Sequence, residues 1–205
     1  GTIVRAIKDS PTPPQSLIQA SAVGFYGDRG EEELTEDAVA GSGFLAEVTQ
    51  AWEDATAALE GSSTRVALAR TGLVIAQGGA MAPLRLQTML GVGGAIGSGR
   101  QWWPWISLRD EVGALVFLLE HAELSGPFNL AGPSPVISRE VTQTLAQMMK
   151  RPHWLGLPEF AVKLLLGEAG RELLLPSQKV IPHNLTAAGF EFDDQTIEQA
   201  LKQAF

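Results

Sequence analysis

The sequence predicts an α/β fold in which helices cover a parallel β-sheet, and three observations support this prediction. Residues 16–22 and 65–75 form nearly continuous apolar runs, as expected for strands that are covered on both faces. Between them, residues 44–59 place their apolar side chains on one stripe of a helix. A strand, a crossover helix and a further strand form the βαβ pattern of a parallel sheet.

The remaining elements of the first 150 residues follow this alternation. Residues 1–8 have helical spacing and precede the chain-breaking SPTPP segment. Ser42 and Gly61 are the predicted caps of the first long helix, and Thr71-Gly72 interrupts the second strand. Further along the chain we predict, in order, a helix at 83–90, an extended segment at 105–107, a helix at 110–121, a strand at 128–130 and a helix at 138–150 with Ser138 as its N-cap.

From residue 151 the composition changes. Residues 157–175 are rich in leucine and predict a helix, and residues 194–205 predict a terminal helix with one apolar face. We therefore divide the chain into one domain at 1–150 and a small helical lobe at 151–205.

Composition excludes several classes of protein. The 205 residues contain no cysteine and three histidines, which argues against disulfide scaffolds, thiolate chemistry and a zinc site. A formal net charge of −8 disfavours nucleic acid and anionic membrane as partners. Apolar runs such as 114–119 are far shorter than the roughly 20 residues that span a bilayer, and the first ten residues lack a signal-peptide core. We expect a cytoplasmic protein, and a solvated acidic loop at 28–43 rather than a metal site.

Several motifs, taken in order, resemble the atypical branch of the extended short-chain dehydrogenase/reductases, the NAD-dependent, epimerase-like proteins with a leucine-rich C-terminal domain of unknown function. They are SAVGFYGD at 21–28, FLAEVTQAWE at 44–53, RTGLV at 70–74, GSGRQWWPWI at 97–106 and a leucine-rich stretch at 164–192 that ends in AGFEF. The resemblance implies the C-terminal part of a Rossmann-like doubly wound parallel sheet. Residues 1–150 would then be a partial NAD(P)-binding domain, and 151–205 its helical lobe.

The resemblance also implies ligands and contact residues. NAD or NADP would lie against Ser21, Ala22, Arg70, Thr71 and Gly72, at the carboxyl edge of the sheet. A nucleotide sugar or a similar polar small molecule would contact Arg100, Gln101 and Trp102. Each set has a structural alternative. Ser21 suits a buried hydroxyl bonded to backbone, Arg70 suits a salt bridge, and the tryptophans suit core filling or a partner surface.

Two departures from the family pattern leave the activity open. The glycine-rich phosphate loop has no counterpart, so we expect the first three or so βα units, about 90 residues at ~30 per unit, to be missing. The family's Tyr-x-x-x-Lys pair registers on Phe44 and Val48, which cannot transfer a proton. Ser21 and Tyr26 are the remaining catalytic candidates. The alternatives are an epimerase or oxidoreductase with another acid/base, and a non-catalytic dinucleotide-binding sensor or partner-binding protein. Helix 44–59 could also form a homodimer.

Overall fold

The computed structural model describes the backbone of residues 1–205 and all side chains except those at 165, 166, 168 and 169. The helices are α1 (Thr2–Asp9), α2 (Phe44–Asp54), α3 (Met81–Met89), α4 (Leu108–Glu120), α5 (Ser138–Met148), α6 (Glu159–Leu174), α7 (His183–Ala187) and α8 (Ile197–Ala204). The strands are β1 (Ser16–Ala22), β2 (Glu33–Leu34), β3 (Arg65–Thr71), β4 (Leu73–Ile75), β5 (Trp102–Trp103), β6 (Trp105–Ser107), β7 (Gly126–Leu130), β8 (Val136–Ile137) and β9 (Lys179–Val180).

Strands β1, β3 and β7 form the central sheet, and all pairs within it are parallel. In the register, Ser21 lies opposite Arg70, and Arg70 lies opposite Asn129. The carboxyl ends of the three strands therefore meet at one edge, which we call the carboxyl edge. Both the α/β class and the predicted parallel pairing of β1 with β3 are confirmed.

Helix α2 packs on β1 through its buried residues Ala46 and Thr49, and α4 packs against β1 and β3. The helix ends at Asp54, so the prediction of a continuous helix to Leu59 is wrong. The Thr56 hydroxyl donates to the carbonyl oxygen of Glu53 at 2.7 Å and competes with the helical hydrogen bonds there. A separate 3₁₀ turn follows at Ala57–Leu59.

Two predicted N-caps are also wrong by one residue. Gly43, not Ser42, is the N-cap of α2, and its φ of 109° is one that a serine rarely adopts. Ile137, not Ser138, is the N-cap of α5. By contrast, the Ser107 hydroxyl accepts a hydrogen bond from the backbone of Asp110 at 3.1 Å and caps α4.

Gly72 separates β3 from β4, at a position where the neighbouring backbone leaves no room for a side chain. Its N–H donates to the Leu130 carbonyl at 3.0 Å, and the next N–H, of Leu73, donates to the Pro104 carbonyl at 2.6 Å. A Cβ on Gly72 would overlap the Pro104 oxygen. The interruption predicted at Thr71-Gly72 is confirmed, and it allows β4 to pair with β6.

The C-terminal segment is joined to the first 150 residues by pairing and by core contacts. Strand β9, which the sequence analysis missed, pairs with β2. Helix α8 packs on α5 and β6, and its Ile197 and Leu201 belong to one buried apolar cluster with Ile75 and Trp105. A two-residue strand is too short to show the alternation that identifies strands in a sequence.

Candidate functional site

A buried ion pair lies at the carboxyl edge between α2 and β3. Arg70 donates to both carboxylate oxygens of Glu53, from Nε and Nη2, each at 2.8 Å. The Ser21 hydroxyl donates to Oε1 of the same carboxylate at 2.6 Å. The exposed fractions of the Arg70 and Glu53 side chains are 5% and 9%, so both charges are paired inside the protein. Ser21 and Arg70 thus direct their polar groups into the protein.

Tyr26 extends this network toward β7. Its hydroxyl accepts from Arg70 Nη1 at 2.9 Å and donates to Asn129 Oδ1 at 2.7 Å. The residue is fully buried, and burial raises the pKa of its hydroxyl despite the opposing effect of Arg70. Glu36 accepts from the Asn129 N–H at 2.9 Å, and burial raises the pKa of this carboxyl. Tyr26 has no solvent-facing surface from which to act as an acid or base.

Another buried carboxyl, after those of Glu53 and Glu36, lies on the other side of the sheet. Glu111, in the first turn of α4, accepts from the Thr71 hydroxyl at 2.8 Å. Its Oε2 is buried and has no hydrogen-bond partner among the described residues. Burial therefore raises the pKa of Glu111, and the Thr71 hydrogen bond only partly offsets this. Both groups line an open, mainly apolar groove beside Ala20 and Val116.

A cavity of about 420 Å³ opens beside the carboxyl end of β1. Its walls come from the turn after β1, the N-terminus of α2, the loop before β5, and α6. Gly24 and Leu45 are in contact on one wall, where a Cβ on Gly24 would lie 3.2 Å from the Leu45 Cβ. Gln101 is on another wall, and its amide nitrogen donates to the carbonyls of Ile96 and Leu174, both at 3.0 Å. This cavity is the candidate site.

The structure separates the predicted substrate residues. Gln101 lines the cavity, whereas Arg100 is exposed and is not among the lining residues. The Trp102 indole donates to Glu31 at 2.7 Å, and Lys179 lies over its ring at 5.1 Å. The neighbouring Trp103 and Trp105 are buried in the core, as the structural alternative expected. Ligand contacts by Arg100, Gln101 and Trp102 stay predictions.

Phe44 and Val48, on which the family's catalytic pair registers, do not line the cavity. Phe44 is 66% exposed and does not line the cavity. Glu53 faces the sheet, and the residues eight and four positions before it, Leu45 and Thr49, lie near that side of α2. Leu45 lines the cavity. Thr49 is buried, and its hydroxyl donates a hydrogen bond to the Leu45 carbonyl at 2.8 Å. Neither Leu45 nor Thr49 supplies the phenol or the ammonium group of the family pair, and the register on Phe44 and Val48 stays a prediction.

Several polar residues of this region were not predicted from the sequence. They are Glu36, Glu53, Glu111, Asn129, Lys163, Arg171 and Glu172. Glu53 lies in the FLAEVTQAWE motif, and a buried arginine at the end of a strand requires an acidic partner from a neighbouring element. Such a search would have found it. The α6 residues carry no local signal, because their position depends on tertiary packing.

The comparisons with known proteins agree with the fold. Residues 157–204 match the family model DUF1731, a domain of unknown function. The chain is 47% identical over 191 residues to epimerase family protein ML0860 of Mycobacterium leprae, covering 93% of this chain and 62% of the relative. It is 36% identical to epimerase family protein SDR39U1 of Bos taurus, covering 98% and 69%. The crystal structure of human SDR39U1 with NADPH superposes with a TM-score of 0.91 at 33% identity, covering 99% of this chain and 70% of that one.

The chain belongs to the SDR39U1 epimerase family. This confirms the resemblance to the atypical extended short-chain dehydrogenase/reductases. The chain spans 62% to 66% of the length of four bacterial relatives of the family. The NAD complex of a dTDP-glucose 4,6-dehydratase from Bacillus anthracis, at 15% identity and a TM-score of 0.76, shares the same Rossmann fold.

Within the described parts of the chain, no helix has the length and apolarity to cross a membrane. The same residues include no group of three or more histidine, aspartate or glutamate side chains that could hold a metal ion.

Proposed function

We propose that the chain is the substrate-side part of an NAD(P)-dependent, epimerase-like enzyme that acts on a nucleotide sugar or a similar polar molecule. The observation that carries this proposal is the cavity at the carboxyl edge, the place where open α/β sheets bind ligands. Support comes from the epimerase family relatives and from the human relative, whose crystal structure contains NADPH. Isomerase or oxidoreductase chemistry would follow from this assignment.

The predicted cofactor residues fit a nicotinamide mainly through backbone and small side chains. Ser21 and Arg70 are engaged with Glu53, so their side chains serve the site by fixing the ends of β1 and β3. Ala22, half-buried at the end of β1, has only a methyl side chain and would leave room for a planar group at the carboxyl edge. NAD or NADP would supply hydride transfer at this edge. The chain's residues would orient the ring and exclude water.

Nuclear magnetic resonance can test which half of the cofactor the chain contacts. Saturation transfer should reach the ring protons of nicotinamide mononucleotide and should be much weaker for adenosine monophosphate. Ala22→Leu should abolish the transfer by filling the edge. Ala20→Leu is the matched control, because Ala20 is an exposed residue on the same strand, two residues before the edge. Equal transfer to both mononucleotides, or equal loss in both variants, would contradict the cofactor assignment.

A non-catalytic dinucleotide-binding protein is the second candidate, and one specific observation favours it. Helix α2 contains neither tyrosine nor lysine, and the only tyrosine of the chain, Tyr26, is buried in a hydrogen-bond network. Such a protein would act as a sensor or through partner contacts. Binding of the nicotinamide mononucleotide, together with neither net reduction of NAD nor an epimerised product across a panel of nucleotide sugars, would support this candidate.

We further propose that the chain forms a homodimer through α2. Phe44 and Trp52, eight residues apart on the helix, are 66% and 48% exposed, with Val48 between them. In sedimentation velocity, Phe44→Glu should convert a dimer to a monomer, and a wild-type monomer would refute the proposal. The acidic composition supports small molecules rather than nucleic acid or anionic membrane as ligands, and a cytoplasmic location remains part of the proposal.

A further inference from the structure

Helix α6 supplies most of the charged side chains of the cavity, although it lies in the segment whose family model has no known function. The opposite wall consists mainly of small residues, among them Gly24, Gly27 and Ser42. The charged lining residues are Asp28 from the loop after β1 and Glu159, Lys163, Arg171 and Glu172 from α6. The α6 wall is therefore the part of the cavity that can discriminate between polar ligands.

Glu172 differs from the other carboxylates of the cavity. Asp28 already accepts a hydrogen bond from the Ser177 N–H at 3.0 Å. Glu159 is paired with Lys163 at 2.5 Å, and its side chain is 59% exposed. The Glu172 side chain is only 21% exposed, and one of its oxygens lies 3.4 Å from Arg171 Nε. Of the two described carboxylates of the α6 wall, Glu172 is thus the less exposed.

The other oxygen of Glu172 faces the start of α2. A Cβ placed on Gly43 would lie 3.3 Å from Glu172 Oε2, so the absence of a side chain at Gly43 leaves this approach open. Gly43 is the N-cap of an eleven-residue helix and offers no side-chain cap. The positive end of a helix attracts a carboxylate, and Glu172 lies near this end of α2, among the cavity-lining residues with Leu45.

We propose that Glu172 binds a hydroxyl group of the substrate and is a specificity-determining residue of the cavity. This inference rests on the proposed function, because the hydroxyl would belong to the sugar part of a nucleotide sugar. An ionised carboxylate only accepts hydrogen bonds, so it selects a donor such as a hydroxyl. Among the described lining residues, three carboxylates outnumber two cations, which disfavours a phosphate, so the diphosphate would lie outside the cavity.

Isothermal titration calorimetry of the chain with UDP-glucose and with UDP tests the proposal. Glu172→Gln keeps the size of the side chain and removes its charge, and it should weaken UDP-glucose binding about tenfold. Binding of UDP, which lacks the sugar, should change by less than about twofold, since a merely structural role would weaken both ligands. Glu198→Gln is the matched control, because Glu198 is an exposed glutamate of α8 that does not line the cavity. It should leave both affinities within about twofold of wild type.

The outcomes separate this inference from the proposed function. Unchanged UDP-glucose affinity in Glu172→Gln, or an equal loss for UDP, overturns the role of Glu172. The same holds if Glu198→Gln weakens binding as much, or if wild type binds nicotinamide mononucleotide but not UDP-glucose. If wild type binds neither the mononucleotide nor UDP-glucose, the proposed function itself fails. Thermal unfolding midpoints show that each variant is folded.

Discussion

Replacing Glu53 with glutamine removes the charge that pairs with Arg70 at the carboxyl edge. The carboxylate accepts three hydrogen bonds, two from Arg70 and one from Ser21, and both charged side chains are at least nine-tenths buried. Removing one partner of a buried ion pair leaves the other charge without compensation and costs about 3–5 kcal/mol. At this chain length that corresponds to a fall in the unfolding midpoint of roughly 6–20 °C.

Urea unfolding followed by fluorescence of the five tryptophans measures this loss. The matched control is Glu198→Gln, which breaks the exposed pair with Lys202 on α8, where both side chains are about 60% exposed. That change should alter the unfolding free energy by less than about 0.5 kcal/mol. A loss below about 1 kcal/mol for Glu53→Gln would refute the reasoning, because the pair would then behave like an exposed one.

A double variant isolates the reason for the loss. If the cost of losing Glu53 arises from an uncompensated buried charge, then Glu53→Leu combined with Arg70→Met should be more stable than Glu53→Leu alone. A double variant that loses at least the sum of the single losses would show that packing and the hydrogen bonds to Tyr26 and Ser21, rather than charge, dominate.

Three further predictions concern stability and use the same unfolding assay. Gly72→Ala should lower the unfolding free energy by about 1–3 kcal/mol, because its Cβ would overlap the Pro104 carbonyl. Gly78→Ala is the control and should change the unfolding free energy by less than about 0.5 kcal/mol, since the space around Gly78 is open. Burial raises the pKa of Glu111 above its ordinary value of 4.5. The preference of the folded state for the protonated carboxyl therefore adds to the unfolding free energy in full below pH 4.5, and this contribution is lost as pH rises through the folded-state pKa. The stability of Glu111→Gln relative to wild type should therefore improve from about pH 4 to about pH 7, and an opposite trend would contradict this. Asp110→Ala should lower the unfolding free energy by at least about 2 kcal/mol, because the buried carboxylate accepts from the Ser107 hydroxyl and from two backbone N–H groups near α8. A smaller loss would show that water replaces the carboxylate.

The sequence predicted the central part of the fold because its signals there are local. Continuous apolar runs identified β1 and β3, and the stripe of apolar residues identified α2. The ends of the helices were predicted less accurately than their positions in the chain. The end of α2 depends on the hydroxyl of Thr56, and its start on the positive φ of Gly43, neither of which hydrophobic periodicity reports.

The candidate site was predicted only in outline. The carboxyl edge was the expected place for ligands, and Gln101 does line the cavity there. The internal partners of Ser21 and Arg70 were not foreseen, because Glu53 reaches them from another element at a separation of 32 and 17 residues. The α6 wall was missed because nothing in a leucine-rich helix indicates which of its charged residues face inward.

Asn129 joins three distant parts of the chain, and this limits how the protein can be recombined. Its amide donates to the Leu34 and Ile181 carbonyls, while Glu36 accepts from the N–H groups of both Asn129 and Asn184. A chimera that exchanges residues 178–201 for those of another protein must therefore preserve this three-way junction. An exchange that breaks the junction leaves buried amide and carboxylate groups without hydrogen bonds. Compatible crossover points are therefore those that keep the hydrogen-bond partners of Asn129 and Glu36.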